Sequence, residues 1–340
     1  MKPKLRDVAE KAGVSITAAS MALTETGRIS EETRRKVLTA AEEIGYKRKQ
    51  KHNKISNFNH VCVLVSSDYK WAFIWKFIRP IIEQIETELK AYNLNLIMIP
   101  IAHNSSPDVL FDKIISSGSG AVISLHYGSD KLLSRLENKG IPVIVVMKAD
   151  YQDRYYSVCV DNFQGAYEAG SHLIRLGHRR IAYVGIQRPD LPALSNDRFI
   201  GFKKAMDVNN LELPAAHIFE FEPGQIEKLK KDLQPVFDKE NKESPTAVFC
   251  LDDDLALRVI IALKDLDISI PEDVSIIAPG DVLDYNLTYI PQITTMQIDT
   301  SYMGKIIAQM LINRLEHTPH IQHGLKVQQH LVERGSCRAI

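Results

Sequence analysis

The stretch "LRDVAEKAGVSITAASMAL", residues 5–23, decides how the start of the chain folds. The apolar positions of its first half recur at helical spacing and are Leu5, Val8, Ala9 and Ala12. This spacing predicts an amphipathic helix. Gly13 ends that helix, because glycine readily takes the positive φ of a helix C-terminus, and Ser15 can cap the next helix. The second helix has an apolar face made of Ala18, Ala19, Ala22 and Leu23. These small side chains allow the two helices to cross closely.

The next segment, "EETRRKVLTAAEEI" at residues 31–44, predicts a third helix. Ser30 caps it and Gly45 ends it. Its inward side chains are predicted to be Val37, Leu38, Ala41 and Ile44. Three short helices in under 50 residues, with a tight glycine turn between the first two, are typical of a helix-turn-helix DNA-binding unit. Residues 13–23 then contain the recognition helix, and the alternative interpretation is an ordinary core helix.

A net charge of +0 hides an asymmetry along the chain. Residues 1–55 hold 13 Lys/Arg and 7 Asp/Glu, a balance of +6, whereas the remainder holds 29 and 35, a balance of −6. A basic end on an acidic body predicts that the small end contacts a polyanion such as DNA. The alternative interpretation of the charge alone is a solvated basic tail.

The cysteines and the apolar runs limit the classes of protein to which this chain can belong. The four cysteines, Cys62, Cys159, Cys250 and Cys337, have no paired spacing, so the sequence predicts neither a disulfide framework nor a zinc site. The first residues are charged and polar, unlike a signal peptide. No apolar run approaches the roughly 20 residues that a membrane span needs. We therefore expect a cytoplasmic protein that does not contact membranes.

From residue 61 onward, apolar strands alternate with amphipathic helices. Strand-like runs include "GAVISL" (120–125) and "IPVIVVM" (141–147), and the alternation begins again at "SVCVDN" (157–162). Near-continuous apolar strands separated by helices predict parallel sheets that are covered on both faces. Two such series in tandem predict an α/β body of two lobes, with a ligand cleft at the carboxyl ends of the strands.

The first three helices resemble the DNA-binding headpiece of the LacI (lactose repressor) family. Residues 5–23 match the family pattern D-V-A-x-x-A-G-V-S-x-x-T-V-S-R-x-L, and "ISEETRRKVLTAAEEIGY" (29–46) matches V-S-x-x-T-R-x-x-V-x-x-A-x-x-L-G-Y. The match covers nearly the whole headpiece. It implies a helix-turn-helix headpiece at residues 1–46 that reads DNA through its second helix.

The resemblance also implies which side chains meet DNA. The positions that face base edges in the family are here Ile16, Thr17 and Met21. Met21 stands where the family usually has Arg, and methionine cannot form the bidentate bonds of arginine to guanine, although it can pack on thymine methyls. The other DNA-binding candidates in the headpiece, chiefly phosphate contacts, are Arg6, Ser15, Ser20, Arg28, Ser30 and Thr33. For Ser30 and Thr33, helix capping is a second interpretation that is compatible with the first.

The basic segment at residues 47–60, which we interpret as a hinge or linker, departs most from the family. The usual pattern R-P-N-x-x-A-x-x-L folds into a hinge helix on DNA, whereas this chain has "KRKQKHNKI" at residues 47–55. Ile55 stands at the leucine position, and an apolar wedge there can kink a base step in the minor groove. We therefore predict that Ile55 contacts DNA. The alternative is that the segment serves only as a basic tether.

The resemblance continues over the body, residues 61–340. "VDNFQGAYEAGSHLIRLGHRRIAYVG" (160–185) is similar to the family's V-D-N-x-x-G-A-x-x-A-x-x-H-L-x-x-L-G-H-x-x-I-A-x-x-G, and "DRFIGF" contains R-x-x-G-F. It implies a two-lobed periplasmic-binding-protein-like body with parallel sheets, whose lobes the chain crosses near residues 161, 290 and 320. The expected lobes are about 61–160 with 291–320, and about 161–290 with 321–340.

The resemblance places an effector cleft between the lobes. The implied ligand-binding residues are Phe73, Trp75, Asp161, Arg198, Asp252, Asp253 and Asp281. Each is a polar or aromatic side chain near the end of a strand, where hydroxyl groups can be bonded and a sugar ring stacked. Two alternatives stay open, because Asp161 also reads as a helix cap and the aromatic group could merely bury the lobe interface.

Several departures from the family affect the prediction of the ligand. Gly280 replaces the first Asp of the pattern G-[FY]-D-D, Asp252 replaces an Asn, and Met147-Lys148 replaces Asp-Arg. The loss of customary polar groups favours a ligand unlike the common monosaccharides, or a site that is only weakly inducible.

The candidate motifs for binding a metal or a cofactor, or for catalysis, are all incomplete in this sequence. "GSG" at residues 118–120 lacks the Lys-Ser/Thr of a phosphate-binding loop. Adjacent carboxylates in "DDD" at 252–254 point in different directions, and the spacing of His317, His320 and His323 is interrupted by a proline. The sequence therefore predicts no metal, no cofactor and no nucleophile with its base.

The predicted function is that of a DNA-binding transcriptional regulator, a repressor whose affinity for its operator is changed by a small molecule such as a sugar. A headpiece this small makes few contacts, so two are expected on a near-palindromic operator, as a homodimer. A transport binding protein and an enzyme with a DNA-binding appendage are the alternatives. The first conflicts with the headpiece and the polar N-terminus, and the second with the failure to find a catalytic motif.

Overall fold

The computed structural model describes residues 3–24, 29–46, 57–66, 72–102, 105–186, 192–222, 224–238, 240–316 and 324–340. They belong to two compact units, Met1–Asn53 and Lys54–Ile340. The described part of the first unit is helical, and the second unit combines helices with two sheets.

The first unit contains α1 (Leu5–Ala12), α2 (Ile16–Thr24) and α3 (Glu31–Glu43). α1 ends at Gly13, whose φ of 66° is left-handed. α2 follows Ser15, whose hydroxyl accepts a hydrogen bond from the N–H of Ala18 at 3.0 Å. The hydroxyl of Ser30 accepts one from the N–H of Thr33 at the start of α3. The three helices predicted from the sequence are confirmed, together with their glycine turn and serine caps.

Small side chains fill the core of this unit. The buried residues are Val8, Ala9, Ala19, Ala22, Val37, Ala40 and Ala41. The prediction that Leu38 lies inward is wrong, since Leu38 is 49% exposed. Ala40 is buried instead, because a helix turns about 100° per residue. Position 38 is therefore rotated away from the face that Val37, Ala40 and Ala41 share.

The second unit alternates strands with helices, as the sequence predicted. In chain order its elements are β1 (His60–Ser66), α4 (Ala72–Lys90), β2 (Asn95–Ile101), α5 (Pro107–Ser116), β3 (Ser119–Leu125), α6 (Asp130–Asn138), β4 (Val143–Val146), β5 (Tyr156–Val160), α7 (Asn162–Arg175), β6 (Ile181–Ile186), α8 (Pro192–Val208), β7 (Ile218–Phe221), α9 (Ile226–Leu233), β8 (Ala247–Cys250), α10 (Asp253–Lys264), β9 (Ser275–Gly280), β10 (Thr294–Ile298), α11 (Thr300–Glu316), β11 (Gly324–Val327) and β12 (Gln329–Val332).

The strands form two six-stranded sheets. The first has the order β11-β5-β4-β3-β1-β2 and the second the order β12-β10-β9-β8-β6-β7. Every pairing is parallel except that of β10 with β12, which is antiparallel. The predicted parallel sheets are thus confirmed, with one antiparallel edge strand. Apolar strands suit this arrangement because both of their faces are buried.

Helices cover both faces of each sheet. α4 and α11 pack on one face of the first sheet, and α5 and α6 pack on the other. α7 and α8 pack on one face of the second sheet, and α9 and α10 on the other. Each lobe therefore has two apolar layers of its own. Within the described ranges, no helix has the length and apolar character needed to cross a membrane.

The chain passes between the two sheets three times. The first passage follows Val160, the last residue of β5, and agrees with the expected position near residue 161. The second follows Ile298, because β10 still pairs with β9 in the second sheet. The third lies at Gln328, because β11 pairs with β5 and β12 pairs with β10. The last two passages thus lie about eight residues later than the sequence suggested at 290 and 320.

Candidate functional site

A cavity of about 130 Å³ lies where the carboxyl ends of the two parallel sheets meet. Six of its lining residues stand at or just after the end of a strand, namely His126, Met147, Val160, Asp252, Gly280 and Ile298. The first three follow strands of the first sheet and the last three follow strands of the second. Open parallel α/β sheets bind ligands at this position. The cavity is therefore the candidate effector cleft.

Arg198 lies in the wall of this cavity and is only 5% exposed. Its Nε donates a hydrogen bond to Oδ1 of Asn162 at 3.0 Å, and its Nη1 donates one to the carbonyl of Leu251 at 2.7 Å. These two hydrogen bonds hold the guanidinium in a fixed, buried position. A fixed guanidinium is suited to bind an oxygen-rich ligand.

Asp252 and Asp253 line the cavity from the start of α10. Oδ1 of Asp252 accepts a hydrogen bond from the N–H of Leu255 at 2.8 Å, so its carboxylate caps the helix. Asp253 is fully buried. Its Oδ2 accepts hydrogen bonds from the N–H groups of Val282 and Leu283, at 2.7 and 2.9 Å.

The hydroxyl of Tyr285 completes the set of donors to Oδ2 of Asp253, at 3.2 Å. Burial raises the pKa of Tyr285, so that its hydroxyl stays protonated and donates. Burial likewise raises the pKa of Asp253 to about 6, although the hydrogen bonds to Oδ2 oppose that effect. The carboxyl of Asp253 is therefore a buried acid that ionises close to neutral pH.

Two of the predicted ligand-binding carboxylates are engaged elsewhere and do not line the cavity. Asp161 caps α7, where its Oδ1 accepts a hydrogen bond from the N–H of Gln164 at 3.1 Å. Asp281 forms a buried ion pair with Arg334, at 2.6 Å. It also accepts hydrogen bonds from Thr295, at 2.9 Å, and from Gln297. The capping interpretation of Asp161 is confirmed, whereas the placement of Asp281 in the cleft is a correction, since its acceptors already have protein donors.

The aromatic contribution to the cavity also differs from the prediction. Trp75 is 39% exposed and is not among the lining residues. Phe73 lies in α4, but its side chain is outside the described part of the structure. Phe77, one helical turn after Phe73 on the same helix, lines the cavity instead.

Sequence reasoning missed several polar residues of the cavity, and two of them, Lys148 and Asn162, could have been found. Nζ of Lys148 lies 3.5 Å from Oδ2 of Asp150, which also lines the cavity. A signal for both existed in the sequence. Lys148 is the second residue after strand β4, where the family pattern has an arginine, and Asn162 belongs to the D-N pair of which only the aspartate was selected.

In the first unit, the predicted base-reading residues lie on the outer face of α2. Ile16 is 51% exposed and Met21 is 38% exposed. Thr17 between them is exposed as well, whereas Ala19 and Ala22 on the opposite face are buried. Two apolar side chains and a hydroxyl thus lie exposed together on one face of α2.

The other residues predicted to bind DNA are exposed, half-buried, engaged in helix caps or outside the described residues. Arg6 is exposed on α1, and Ser20 lies half-buried on α2. Ser15, Ser30 and Thr33 take part in the helix caps described above, and the hydroxyls of Ser30 and Thr33 are 2.8 Å apart. Arg28 and Ile55, as well as the basic run at residues 47–54, lie outside the described residues.

No group of three or more metal-ligating side chains is assembled among the described residues. His317, His320 and His323 fall outside them. The acidic run at residues 252–254 is divided as the sequence suggested, because Asp252 caps α10, Asp253 turns into the core and Asp254 pairs with Arg258 at 3.0 Å.

A helix-turn-helix unit that precedes a two-lobed α/β body, with a cleft at the carboxyl ends of its two sheets, is the architecture expected of a ligand-responsive DNA-binding regulator. The sequence comparisons agree with this class. Residues 4–49 match the model of bacterial regulatory proteins of the lacI family. Residues 171–337 match the model of the periplasmic binding protein-like domain. The chain therefore joins a DNA-binding domain of the lacI type to a periplasmic-binding-protein-like domain.

Individual relatives extend the likeness over the whole chain. The transcriptional regulator RegA of Clostridium saccharobutylicum is 26% identical over 350 residues, which cover 99% of each protein. The solved complex of the regulator CelR with cellobiose has a TM-score of 0.68 at 22% identity, and covers 98% of this chain and all of CelR. The lac repressor dimer bound to its operator and an anti-inducer has a TM-score of 0.67 at 19% identity, with full coverage of both chains. At these identities the two structures establish the fold.

Proposed function

We propose that this protein is a transcriptional repressor that binds a near-palindromic operator as a homodimer and changes its affinity for DNA when a small carbohydrate binds in the cleft. The observation that carries the proposal is the outer face of α2, where Ile16, Thr17 and Met21 are exposed on a helix whose other face is buried. This is the face that a recognition helix offers to the major groove.

The chemistry of that face predicts how DNA would be read. Ile16 and Met21 supply apolar contacts and Thr17 supplies a hydroxyl, so the operator would be read through thymine methyl groups and a few hydrogen bonds. Arg6 and the hydroxyls of Ser15, Ser20, Ser30 and Thr33 would hold the phosphates, as would Arg28. Phosphate contacts fix the position of the headpiece without reading the sequence.

The cleft supplies the response to the effector. Arg198, Asp252 and Asp253 come from the second lobe, whereas Lys148 and Asp150 come from the first. A ligand that contacts both sets would favour one relative position of the lobes. A ligand shifts a conformational equilibrium by as much as its affinities for the two states differ. The cleft can thus transmit binding to the DNA-binding units of a dimer.

Binding rather than catalysis is the activity that we propose for the cleft. Its relatives are regulators, and three of the carboxylates predicted for the cleft serve in the described structure as helix caps or in an ion pair. We therefore expect the ligand to be released unchanged. We place the protein in the cytoplasm, where its DNA would be found.

Fluorescence anisotropy with operator DNA tests the proposal. The operator would first be selected from random duplexes with the purified full-length chain. Ile16→Ala should weaken specific binding about 5- to 150-fold, because the loss of one specific contact in the groove costs about 1–3 kcal/mol, while binding to random DNA stays nearly constant. The matched control is Ile200→Ala, which truncates an isoleucine of α8 that is 53% exposed.

The following results would contradict the proposal. If selection yields no preferred sequence, or if Ile16→Ala and Ile200→Ala weaken specific binding equally, α2 is not a recognition helix. Light scattering on the same samples, free and bound to DNA, checks the homodimer. One chain per operator at saturation would contradict it.

A further inference from the structure

Part of the cleft is lined by the hydrophobic core of the first lobe. We call this part the apolar patch, and it consists of Phe77, Met147, Val160 and Ile298. All four side chains belong to, or pack against, the cluster between the first sheet and helices α4 and α11. Val160 and Ile298 are nearly buried, whereas Phe77 and Met147 are half-buried. A ligand in the cavity can therefore cover apolar surface on this side.

Backbone amides beside the apolar patch are already used within the first sheet. The N–H of Met147 donates to the carbonyl of Val158 at 2.9 Å. The N–H of Asp161, the residue after Val160, donates to the carbonyl of Val327 at 2.8 Å. A ligand hydroxyl turned toward the patch would therefore lose its hydrogen bonds to water and gain none from these amides or from the hydrocarbon side chains.

Polar side chains line other parts of the same cavity. The second lobe supplies an amide, a guanidinium and a carboxylate, which belong to Asn162, Arg198 and Asp252. Groups of these three kinds form hydrogen bonds with hydroxyl groups. In the first lobe, Nζ of Lys148 lies 3.5 Å from Oδ2 of Asp150, so these two charges balance each other. A ligand that fits the whole cavity therefore combines several hydroxyl groups with one apolar group.

We propose that the effector is a 6-deoxyhexose, a sugar that carries a methyl group in place of the usual hydroxymethyl group, and that this methyl group binds on the apolar patch. The inference rests on the proposed function, since it specifies the sugar that the same cleft takes. The cavity volume of about 130 Å³ suits about one six-membered ring, because an engineered cavity of about 150 Å³ holds benzene. The ligand class is thus a single deoxy sugar rather than a longer saccharide.

A single oxygen atom explains why a methyl group is preferred over a hydroxymethyl group. That hydroxyl can donate one hydrogen bond and accept two, and against the apolar patch its only polar neighbour would be the thioether of Met147, which is a weak acceptor. Burying the hydroxyl there costs free energy because its bonds to water are lost. A methyl group in the same place gains from burial, and a methionine side chain adapts its shape to such a group.

The test compares sugars that differ at one carbon atom, which carries H, CH₃ or CH₂OH. The three series are L-arabinose, D-fucose and D-galactose; D-xylose, 6-deoxy-D-glucose and D-glucose; and L-lyxose, L-rhamnose and L-mannose. Binding to the full-length protein is measured by calorimetry. In at least one series we expect the 6-deoxyhexose to bind more than about tenfold tighter than the hexose, a difference of about 1.4 kcal/mol. It should also bind about fourfold tighter than the pentose, which corresponds to about 0.8 kcal/mol for one buried methyl group.

Met147→Gln locates the effect. Glutamine has nearly the length of methionine but carries an amide that can bond a hydroxyl, so the preference for the 6-deoxyhexose should disappear or reverse. Met147→Leu keeps the patch apolar and should retain the preference. The matched control is Met98→Gln, which makes the same change at a methionine of β2 that is 47% exposed and lies outside the cavity lining. Circular dichroism verifies the fold, and Val160→Thr, which adds a hydroxyl to the patch at nearly constant volume, decides if Met147→Gln does not fold.

Three results would overturn the inference. They are the failure of every 6-deoxyhexose to bind, hexoses or pentoses that bind as tightly as the 6-deoxyhexoses, and a preference that survives Met147→Gln in a folded protein or is lost equally in Met98→Gln. A hexose or pentose that binds best and changes operator binding would refute the methyl group while the proposed function stands. A 6-deoxyhexose that binds through Met147 without affecting operator binding would support the inference and contradict regulation by the cleft.

Discussion

Replacing Asp253 with Asn should make the stability of the protein less sensitive to pH. Burial raises the pKa of Asp253 from 3.8 to about 6 in the folded chain. A group whose pKa is higher in the folded state stabilises the fold most when it is protonated in both states, below about pH 3.8. That contribution is lost as the pH rises through about 6, where the folded protein must ionise a buried acid.

The magnitude follows from the same two values. Each pKa unit corresponds to about 1.4 kcal/mol, so the rise from 3.8 to about 6 amounts to about 3 kcal/mol. Asn does not ionise. About 0.6 kcal/mol of this amount is already expressed at about pH 4, where the unfolded carboxyl is more than half ionised, so the free energy of unfolding of Asp253→Asn, relative to that of the wild type, should increase by about 2.4 kcal/mol between about pH 4 and pH 7.

The hydrogen bonds make Asn a suitable replacement. Its amide oxygen can accept from the N–H groups of Val282 and Leu283 and from the hydroxyl of Tyr285, as Oδ2 of Asp253 does. Any loss from weaker, uncharged hydrogen bonds shifts the stability at every pH to a similar extent. The slope with pH, rather than the offset, thus reports the burial of the charge.

Urea unfolding of the full-length chain, followed by circular dichroism at several pH values, measures the difference. Equal m-values for the two proteins are required, so that the same transition is compared. The control is Asp207→Asn, which removes a carboxylate that is exposed on α8. A stability difference that is constant within about 1 kcal/mol from pH 4 to 7, or that falls with pH, would refute a buried acid with a raised pKa.

Four further predictions concern the effector and DNA. Arg198→Ala should abolish the effect of the effector on operator binding in an anisotropy titration, and should leave binding without effector intact; a normal response would remove Arg198 from the site. Asp161→Ala should lower the free energy of unfolding by about 1 kcal/mol through the lost cap of α7, and should weaken effector binding less than Arg198→Ala does, as calorimetry can check. Because the chain's first 55 residues carry an excess of basic residues, operator affinity should fall about 10³–10⁵-fold between about 50 and 200 mM salt if roughly 6–10 phosphates are neutralised, and a nearly flat salt response would contradict this. Ile55→Ala should cost about 1–3 kcal/mol of specific binding with little change on random DNA, and equal losses on both would indicate a simple tether.

The sequence predicted the helix-turn-helix unit well because its determinants are local. Apolar spacing, one glycine in the left-handed region and two serine caps fix α1, α2 and α3 within a few residues of chain. The error at Leu38 arose within this same local pattern. Leu38 and Val37 are both apolar and adjacent, and only the packing of α3 against the other helices determined which of them is buried.

The passages between the lobes were predicted less well because strand pairing is not local. "TTMQI" and "GLKV" are short strands that periodicity can detect but cannot assign to a sheet. The first pairs with β9 and the second with β5, which precedes it by more than 160 residues. Such partners appear only once both lobes are assembled.

Asp253 and Asp281 show why motif position alone did not determine the site. Both are aspartates near the strand ends of the second sheet, and both were predicted to bind the ligand. Asp281 meets the guanidinium of Arg334, so its charge is balanced inside the protein. Asp253 meets only neutral donors, on one of its two oxygens.

The difference arises from residues far apart in sequence. Arg334 lies 53 positions after Asp281, and Gly280 lies next to Oδ1 of Asp253 although 27 positions separate them. A side chain at position 280 would clash with Oδ1 of Asp253, which is itself buried. An aspartate with its cation in place stabilises the fold, whereas a buried aspartate without one is held at a cost that grows as it ionises.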